Sequence, residues 1–572
     1  MAIQFSQHTV TYDLLDATEI FALQIVERSM EVVEVTYDIV IKDSWVVDGT
    51  GKPKFEADIG IIGGKIDKIG EIPESEGDIV IDAKGLVTCP GFIDIHSHSD
   101  LSILANPKAE SKIMQGITTE VIGNCGFSAA PVKEPAEEEL KRELEKYGLD
   151  LTWKTMEEYF RRVEENGVSV NVVPLVGFGT IRACVMDYEN RKPTKDELDE
   201  MKALTEQAML NGAFGLSTGL IYAPSCYADT DEIVEVCKVV SRYGGIYASH
   251  IRGEGRTLVE AVREAIEIGE RTNVSVEISH HKAAGVVNWG KVRETIKMIE
   301  KARKEGLDIS FDVYPYTASH TSLEALMPPW VLEGGREKLE ERLRDPKIRE
   351  KIKCEIENSI NIADNPIVDS GWDRIVPVYL DSDKELEGKS LEEIAKDMGR
   401  DPYDVFFELI LRNKNAQVIL HEMSEEDVIT VMKHPLSMIC TDSEALSTSD
   451  ISRIGLTHPR GFGAFPRVLG VYVREKGVLT LEEAIKKMTY MTAKKLGIKG
   501  RGIIKEGAYA DIVIFDPQRI RDTATYENPY NYPVGIEYVI VNGKITVEKG
   551  KHKGTLNGKV LRKTAQQSVV PY

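Results

Sequence analysis

Two textures of apolar and polar positions alternate along the chain, with different periods. From Tyr37 to about Asp82 the period is two. "YDIVIKDSWVVDGTG" and "ADIGIIGGKIDKIGE" alternate apolar with polar residues and break at Asp-Gly and Gly-Gly, the turns that join short strands. The texture returns near the C-terminus, where "ADIVIFDP" and "VGIEYVIVNGKITVEKG" read as strands, the second with an Asn-Gly hairpin turn. Two β-rich segments at opposite ends of one chain can pair, so 37–85 and 500–560 are expected to form one small β-sandwich. Methionine recurs at Met30, and 1–36 reads as an N-terminal extension, either an appendage or an over-long start.

Between these segments the period switches to that of helices. "TKDELDEMKALTEQAMLNG" opens with a Thr194 to Glu197 capping box, puts Leu198, Met201, Leu204 and Ala208 on one face and stops at Gly212. The short strand "FGLSTGL" follows, then helix-like 257–272, strand "VSVEISH", helix-like 291–305 and strand "LDISFDVYPY". Such alternation predicts parallel strands joined by crossover helices. The length from 86 to 499 suits eight units plus an insertion at about 323–395, where "REKLEERLRDPKIREKIKCEIENSI" breaks the rhythm. The expected fold is therefore α/β: a (β/α)8 barrel, with the small sandwich and an inserted subdomain. No Gly-rich phosphate loop supports an open doubly wound sheet instead.

Composition narrows the classes. At 572 residues the chain has room for a barrel and a second unit. Its formal charge of −22 argues against nucleic acid or an anionic membrane surface as partner. No apolar window is long enough to span a membrane, and the first residues lack the pattern of a secretory signal. Seven scattered cysteines form no disulfide framework, which points to a reducing cytoplasm.

In a barrel of this kind chemistry gathers at the carboxyl ends of the strands. "GFIDIHSH" ends with His96 and His98, "TTEVIGNCGFS" with Cys125, "GGIYASHIRGEG" with His250, "VSVEISHHK" with His280 and His281, and "PLSMICTDSEA" with Asp442. Taken singly, each has an ordinary explanation as a buried small residue or a cap. Of eleven histidines, however, five fall at these strand ends. Thiol, imidazole and carboxylate together point to zinc over magnesium or calcium.

"PGFIDIHSHSD", "GITTEVIGNCGFS", "SHIRGEG", "ISHHKAAG", "TDSEAL" and "HPRGFGAFPRVLG" resemble the N-acyl-D-amino-acid deacylases (D-aminoacylases) of the amidohydrolase superfamily, over about residues 37–560. The resemblance implies zinc-dependent hydrolysis of the amide bond of a small N-acyl-D-amino acid. By it, Cys125, His250 and His280 hold one tight zinc, while His96, His98 and Asp442 flank a second, weaker position. The family's spacing favours His280 over His281. Asp442 is then the general base, taking a proton from the attacking water and delivering it to the leaving amine. Arg453 clamps the α-carboxylate, and Lys282, Tyr222 and Tyr316 (or Tyr314) line the carboxylate and the scissile carbonyl. "TDSEA" departs from the family, in which small residues usually follow the base. Two alternatives use the same barrel: a cyclic-amide hydrolase of the dihydroorotase or hydantoinase kind, and a D-residue dipeptidase. Cys125, where the former usually carry a bridging lysine, weighs against the first. Intact candidate metal positions and base argue against a non-catalytic scaffold.

Overall fold

The computed structural model describes residues 36–360, 362–449 and 455–564; the expected extension 1–36 lies outside them except for Thr36. Eight strands form the centre: β1 (Phe92–Asp94), β2 (Ile117–Ile122), β3 (Asn171–Pro174, resumed at Val176–Gly177), β4 (Gly215–Gly219), β5 (Ile246–His250), β6 (Ser275–Ile278), β7 (Ile309–Val313) and β8 (Ser437–Ile439). Each pairs in parallel with the next, in chain order. The ring closes just beyond the strand ends, where Asp442 N donates to His96 O (2.9 Å) and His98 N to Ser443 O (3.0 Å). Every residue of β2, β4, β5 and β7 is buried. Helices cover the outside and the barrel core fills the inside, so even the polar positions of these strands, among them Thr119, Glu120, Ser217, Thr218 and Asp312, are buried.

The crossover helices follow their sequence signals. Lys195–Asn211 starts at the Thr194 to Glu197 capping box and stops at Gly212, which adopts the left-handed backbone at φ +109°. It buries Met201, Thr205, Ala208 and Met209, while Leu198 and Leu204 are only partly covered. Leu258–Thr272 and Val292–Lys304 flank β6 without a side-chain N-cap, the first ending at left-handed Asn273.

A buried lysine holds the seam of the barrel. Lys112 is wholly inaccessible, and its ammonium contacts Asp94 Oδ2 (3.0 Å), Thr441 Oγ1 (2.6 Å) and Ser443 O (2.7 Å). Asp94 also accepts Thr441 N at 2.9 Å, so one ion pair ties the first strand to the segment after the last. Removing one partner strands the other charge in a dry interior, at a cost of about 3–5 kcal/mol. Lys112→Met is expected to lower the urea midpoint of unfolding accordingly. An unchanged midpoint would show that the ammonium does not hold this seam.

The two chain ends meet in one mixed nine-stranded sheet. Tyr37–Val46, Phe55–Ile62, Lys65–Gly70, Gly77–Asp82 and Val87–Pro90 join Ile512–Phe515, Ile536–Val541, Lys544–Glu548 and Lys551–His552 through antiparallel pairing of Val87–Pro90 with Ile512–Phe515. Ile39, Ile41 and Ile59 share an apolar cluster with Ile512, Ile514 and Ile540. The turn between Val541 and Lys544 is Asn542-Gly543 with φ +48° and +77°, the hairpin that Asn-Gly signals.

Between β7 and β8 an inserted segment builds its own three-stranded antiparallel sheet from Ser319–Ser322, Ile375–Tyr379 and Gln417–Leu420. Its apolar cluster runs from Leu323 to Leu420, past residue 395. Gln417–Leu420 is the middle strand, so the segment cannot close before it. No helix among the described residues is long and apolar enough to cross a membrane.

Candidate metal centre

Five strand ends deliver the reactive residues to one end of the barrel. His96 and His98 follow β1, Cys125 follows β2, His250 ends β5, His280 lies two residues after β6, and Asp442 three after β8. Cys125, His280 and Asp442 have φ of +50°, +35° and +50°. Non-glycine residues avoid this region at a cost of about 1–3 kcal/mol each, and such strain collects at functional sites. The turn before Cys125 needs Gly123: a Cβ there would lie 2.1 Å from Leu175 O, and its φ is +81°.

Cys125 Sγ is the hub. It lies 3.3 Å from His96 Nε2, 3.5 Å from His280 Nε2 and 3.7 Å from His250 Nδ1. Asp442 Oδ1 stands 3.0 Å from His98 Nε2 and 3.5 Å from His96 Nε2, so the two histidines of "HSH" converge on one oxygen. Its other oxygen, Oδ2, faces Arg460 Nη1 at 2.8 Å. On the far side, His280 Nδ1 is 3.0 Å from Glu254 Oε1 and 2.8 Å from Lys282 Nζ, and Lys282 Nζ is 2.5 Å from the same carboxylate. A proton on Nδ1 shared with Glu254 leaves the Nε2 lone pair aimed at the cluster, the usual support for a ligating imidazole.

The electrostatics suit a cation. Burial holds the His96 imidazole well below its usual pKa and brings His250 to about 3, so both are neutral donors. Burial also disfavours the Asp442 carboxylate, but Arg460, His280, His98 and His96 outweigh it and keep its pKa well below the ordinary range. Burial pushes the Cys125 thiol well up, aided by Asp442 and Glu254, so its thiolate needs a positive charge nearby. His250 Nε2 is buried with no hydrogen-bond partner. Three sets have their donor atoms within 4.8 Å of one another: His96, Cys125 and His280; His96, His98 and Asp442; and His250, Glu254 and His280. Sulfur and imidazole donors beside a carboxylate fit zinc.

The cluster opens into a cavity of about 560 Å³, within the usual range for a small-molecule site. Tyr222 lines it, with its ring 5.1 Å from that of His250 and its hydroxyl 3.0 Å from Thr321 Oγ1. Lys282 and His98 line it as well.

His281 turns away from the cluster: its Nε2 meets Thr295 Oγ1 at 2.9 Å on the helix Val292–Lys304, and its ring packs on Phe311. Tyr316 does not line the cavity and is replaced there by Tyr314. After β7 the chain turns tightly at Pro315, with Tyr316 N bonded to Tyr314 O (2.9 Å). The Tyr316 ring thereby swings under Arg467, towards Asp522, while Tyr314 lies under Arg460 with 4.6 Å between guanidinium and ring centre. Arg453 lies outside the described residues. Two site residues were not singled out from the sequence, Glu254 and Arg460. Glu254 follows His250 by four residues in "SHIRGEG", a spacing that could have flagged it. Arg460, eighteen residues beyond Asp442, lies in the motif "HPRGFGAFPRVLG", but no role was read for it there.

A family model described as "Amidohydrolase family" matches residues 87–546. A D-aminoacylase of Alcaligenes xylosoxydans xylosoxydans is 36% identical over 532 residues, 92% of this chain and 98% of that protein. An N-acyl-D-glutamate deacylase of the same organism is 34% identical, covering 93% and 98%. The crystal structure of N-acyl-D-glutamate deacylase from Bordetella bronchiseptica, complexed with zinc and a phosphonate inhibitor that mimics the tetrahedral intermediate, superposes with a TM-score of 0.78 at 32% identity. That match covers 92% of this chain and 100% of the other.

Proposed function

The chain belongs to the N-acyl-D-amino-acid deacylase family of the amidohydrolases, and from that membership we propose that it uses zinc to hydrolyse the amide bond of N-acyl-D-amino acids, releasing a carboxylate and a D-amino acid. One observation carries the reading: Cys125, three imidazoles and Asp442 converge from five strand ends at the floor of a substrate-sized cavity.

We assign Cys125, His250 and His280 to a tightly held zinc, and His96, His98 and Asp442 to a second, weaker position. When bound, zinc polarises the scissile carbonyl and lowers the pKa of a coordinated water. Glu254 fixes the His280 ring, and Lys282 neutralises Glu254. Asp442, ionised and held by Arg460 through Oδ2, turns Oδ1 towards the cluster. There it accepts a proton from the attacking water and passes it to the nitrogen as the C–N bond breaks. Tyr222 and Lys282 stand along the cavity beside the carbonyl and carboxylate. Arg453 supplies the planar two-bond fork for the α-carboxylate. All seven cysteines are free thiols, which supports a cytoplasmic setting.

The test is a panel of N-acetyl-D- and N-acetyl-L-amino acids with dihydroorotate and a hydantoin. The D-series is expected to be hydrolysed and the L-series poorly, because carboxylate, carbonyl and side chain fix three points around the α-carbon. Arg453→Ala should lower kcat/KM on the D-series by roughly one hundredfold, since charge-assisted bonds contribute about 1.5–3 kcal/mol each. Arg453→Lys should restore only part. Faster turnover of either cyclic amide than of every D-substrate would replace this reading.

A further inference from the structure

The cavity wall next to Asp442 carries a carboxylate that the chemistry above does not use. Glu444, two residues on, lines the cavity, and the Tyr147 hydroxyl donates to its Oε2 at 2.9 Å. Glu143, on the helix Glu137–Glu145, and Lys146 just beyond it line the same cavity. So does Glu139, one turn earlier on that helix.

The cations tell the other half. Among the described residues the only lysines and arginines that line the cavity are Lys146, Lys282 and Arg460. Each already faces a carboxylate: Lys146 is 2.6 Å from Glu143, Lys282 is 2.5 Å from Glu254, and Arg460 is 2.8 Å from Asp442. Glu139 and Glu444 line the cavity with no lysine or arginine within ion-pair distance among the described residues. A substrate of the proposed kind brings one carboxylate, for which Arg453 is the assigned partner. A second carboxylate would leave water for a wall that, among the described residues, has no cation to spare and already holds the carboxyl groups of Glu139 and Glu444. An anion moved into such a place is disfavoured twice, by lost hydration and by like-charge repulsion at reduced dielectric. Amide or basic side chains meet neither obstacle.

Resting on the deacylase reading and narrowing it, we infer that the enzyme discriminates against N-acyl-D-amino acids whose side chain bears a second carboxylate, and that Glu444 is a specificity-determining residue in that choice. Its substrates are N-acyl-D-amino acids with neutral or basic side chains.

N-acetyl-D-glutamate and N-acetyl-D-glutamine are nearly isosteric and differ by this one charge. With the zinc-loaded enzyme, kcat/KM is expected to favour the glutamine derivative at least tenfold, which corresponds to ~1.4 kcal/mol. Glu444→Gln should shrink that ratio about threefold or more, chiefly through KM for the glutamate derivative. A merely structural role for Glu444 would lower both substrates together and leave the ratio alone. Glu139→Gln provides a second removal of wall charge, with the same direction expected, should Glu444→Gln not fold. Equal or better hydrolysis of N-acetyl-D-glutamate, or a ratio unmoved in a folded variant, overturns the inference. If no N-acetyl-D-amino acid in the panel is hydrolysed, the deacylase reading falls and takes this inference with it.

Discussion

Asp442→Asn lowers turnover of N-acetyl-D-amino acids by about 10²–10⁴-fold, the usual worth of a positioned general base. Asparagine keeps the size of the side chain and one acceptor oxygen but cannot take a proton from water. The geometry makes the carboxylate's two oxygens separable in role. Oδ1 stands at the cluster beside His98 and His96, whereas Oδ2 is held by Arg460 at 2.8 Å. The amide also leaves the buried Arg460 guanidinium short of its counter-charge, so some loss of stability is expected alongside the loss of rate. Circular dichroism and zinc content measured on the same preparation separate the two effects: the variant should be folded, hold about one zinc and turn over slowly. Turnover near that of the wild type would remove Asp442 from the mechanism.

The second large effect is on the metal. Cys125→Ala should abolish tight zinc binding and, with it, nearly all activity. Sγ sits 3.3–3.7 Å from nitrogen atoms of three histidines, so its removal opens the middle of the donor set. A protein holding zinc through three side chains cannot lose one cheaply. Even an outer hydrogen-bond partner costs ~10–100-fold in affinity when removed, and a direct ligand should cost more. His280→Ala should behave like Cys125→Ala. His281→Ala is the informative contrast, because its Nε2 is engaged with Thr295 and not with the cluster; it should retain the metal. Elemental analysis after dialysis reads all three variants. Zinc kept by Cys125→Ala, or lost from His281→Ala and kept by His280→Ala, would redraw the ligand set.

Much of this was legible in the chain because the signals are local. The capping box at Thr194, the left-handed stop at Gly212 and the Asn542-Gly543 turn are each set by a few neighbouring residues. Strand-to-helix alternation needs only period and length. The candidate donors were legible for a related reason: a parallel barrel sends its strand ends to one face, so a reactive residue at a strand end has one place to go.

Other features depend on parts of the chain that local patterns do not connect. Arg460 meets Asp442 across eighteen residues, and Glu254 reaches His280 across twenty-six. Tyr314 and Tyr316 share parity along an extended chain, yet a turn at Pro315 separates their directions. His280 and His281 are adjacent, and the φ of +35° at His280 turns one ring to the cluster and the other to the helix Val292–Lys304.

By itself, then, the amino-acid sequence determined the class of fold, the strand ends that carry the chemistry and the family they resemble, because periodicity, capping and turn chemistry act over a few residues. Only the tertiary structure decided which atoms meet. That choice depends on ring closure, on strained backbone at Cys125, His280 and Asp442, and on buried charges such as Arg460 and Lys112 that must find partners far along the chain.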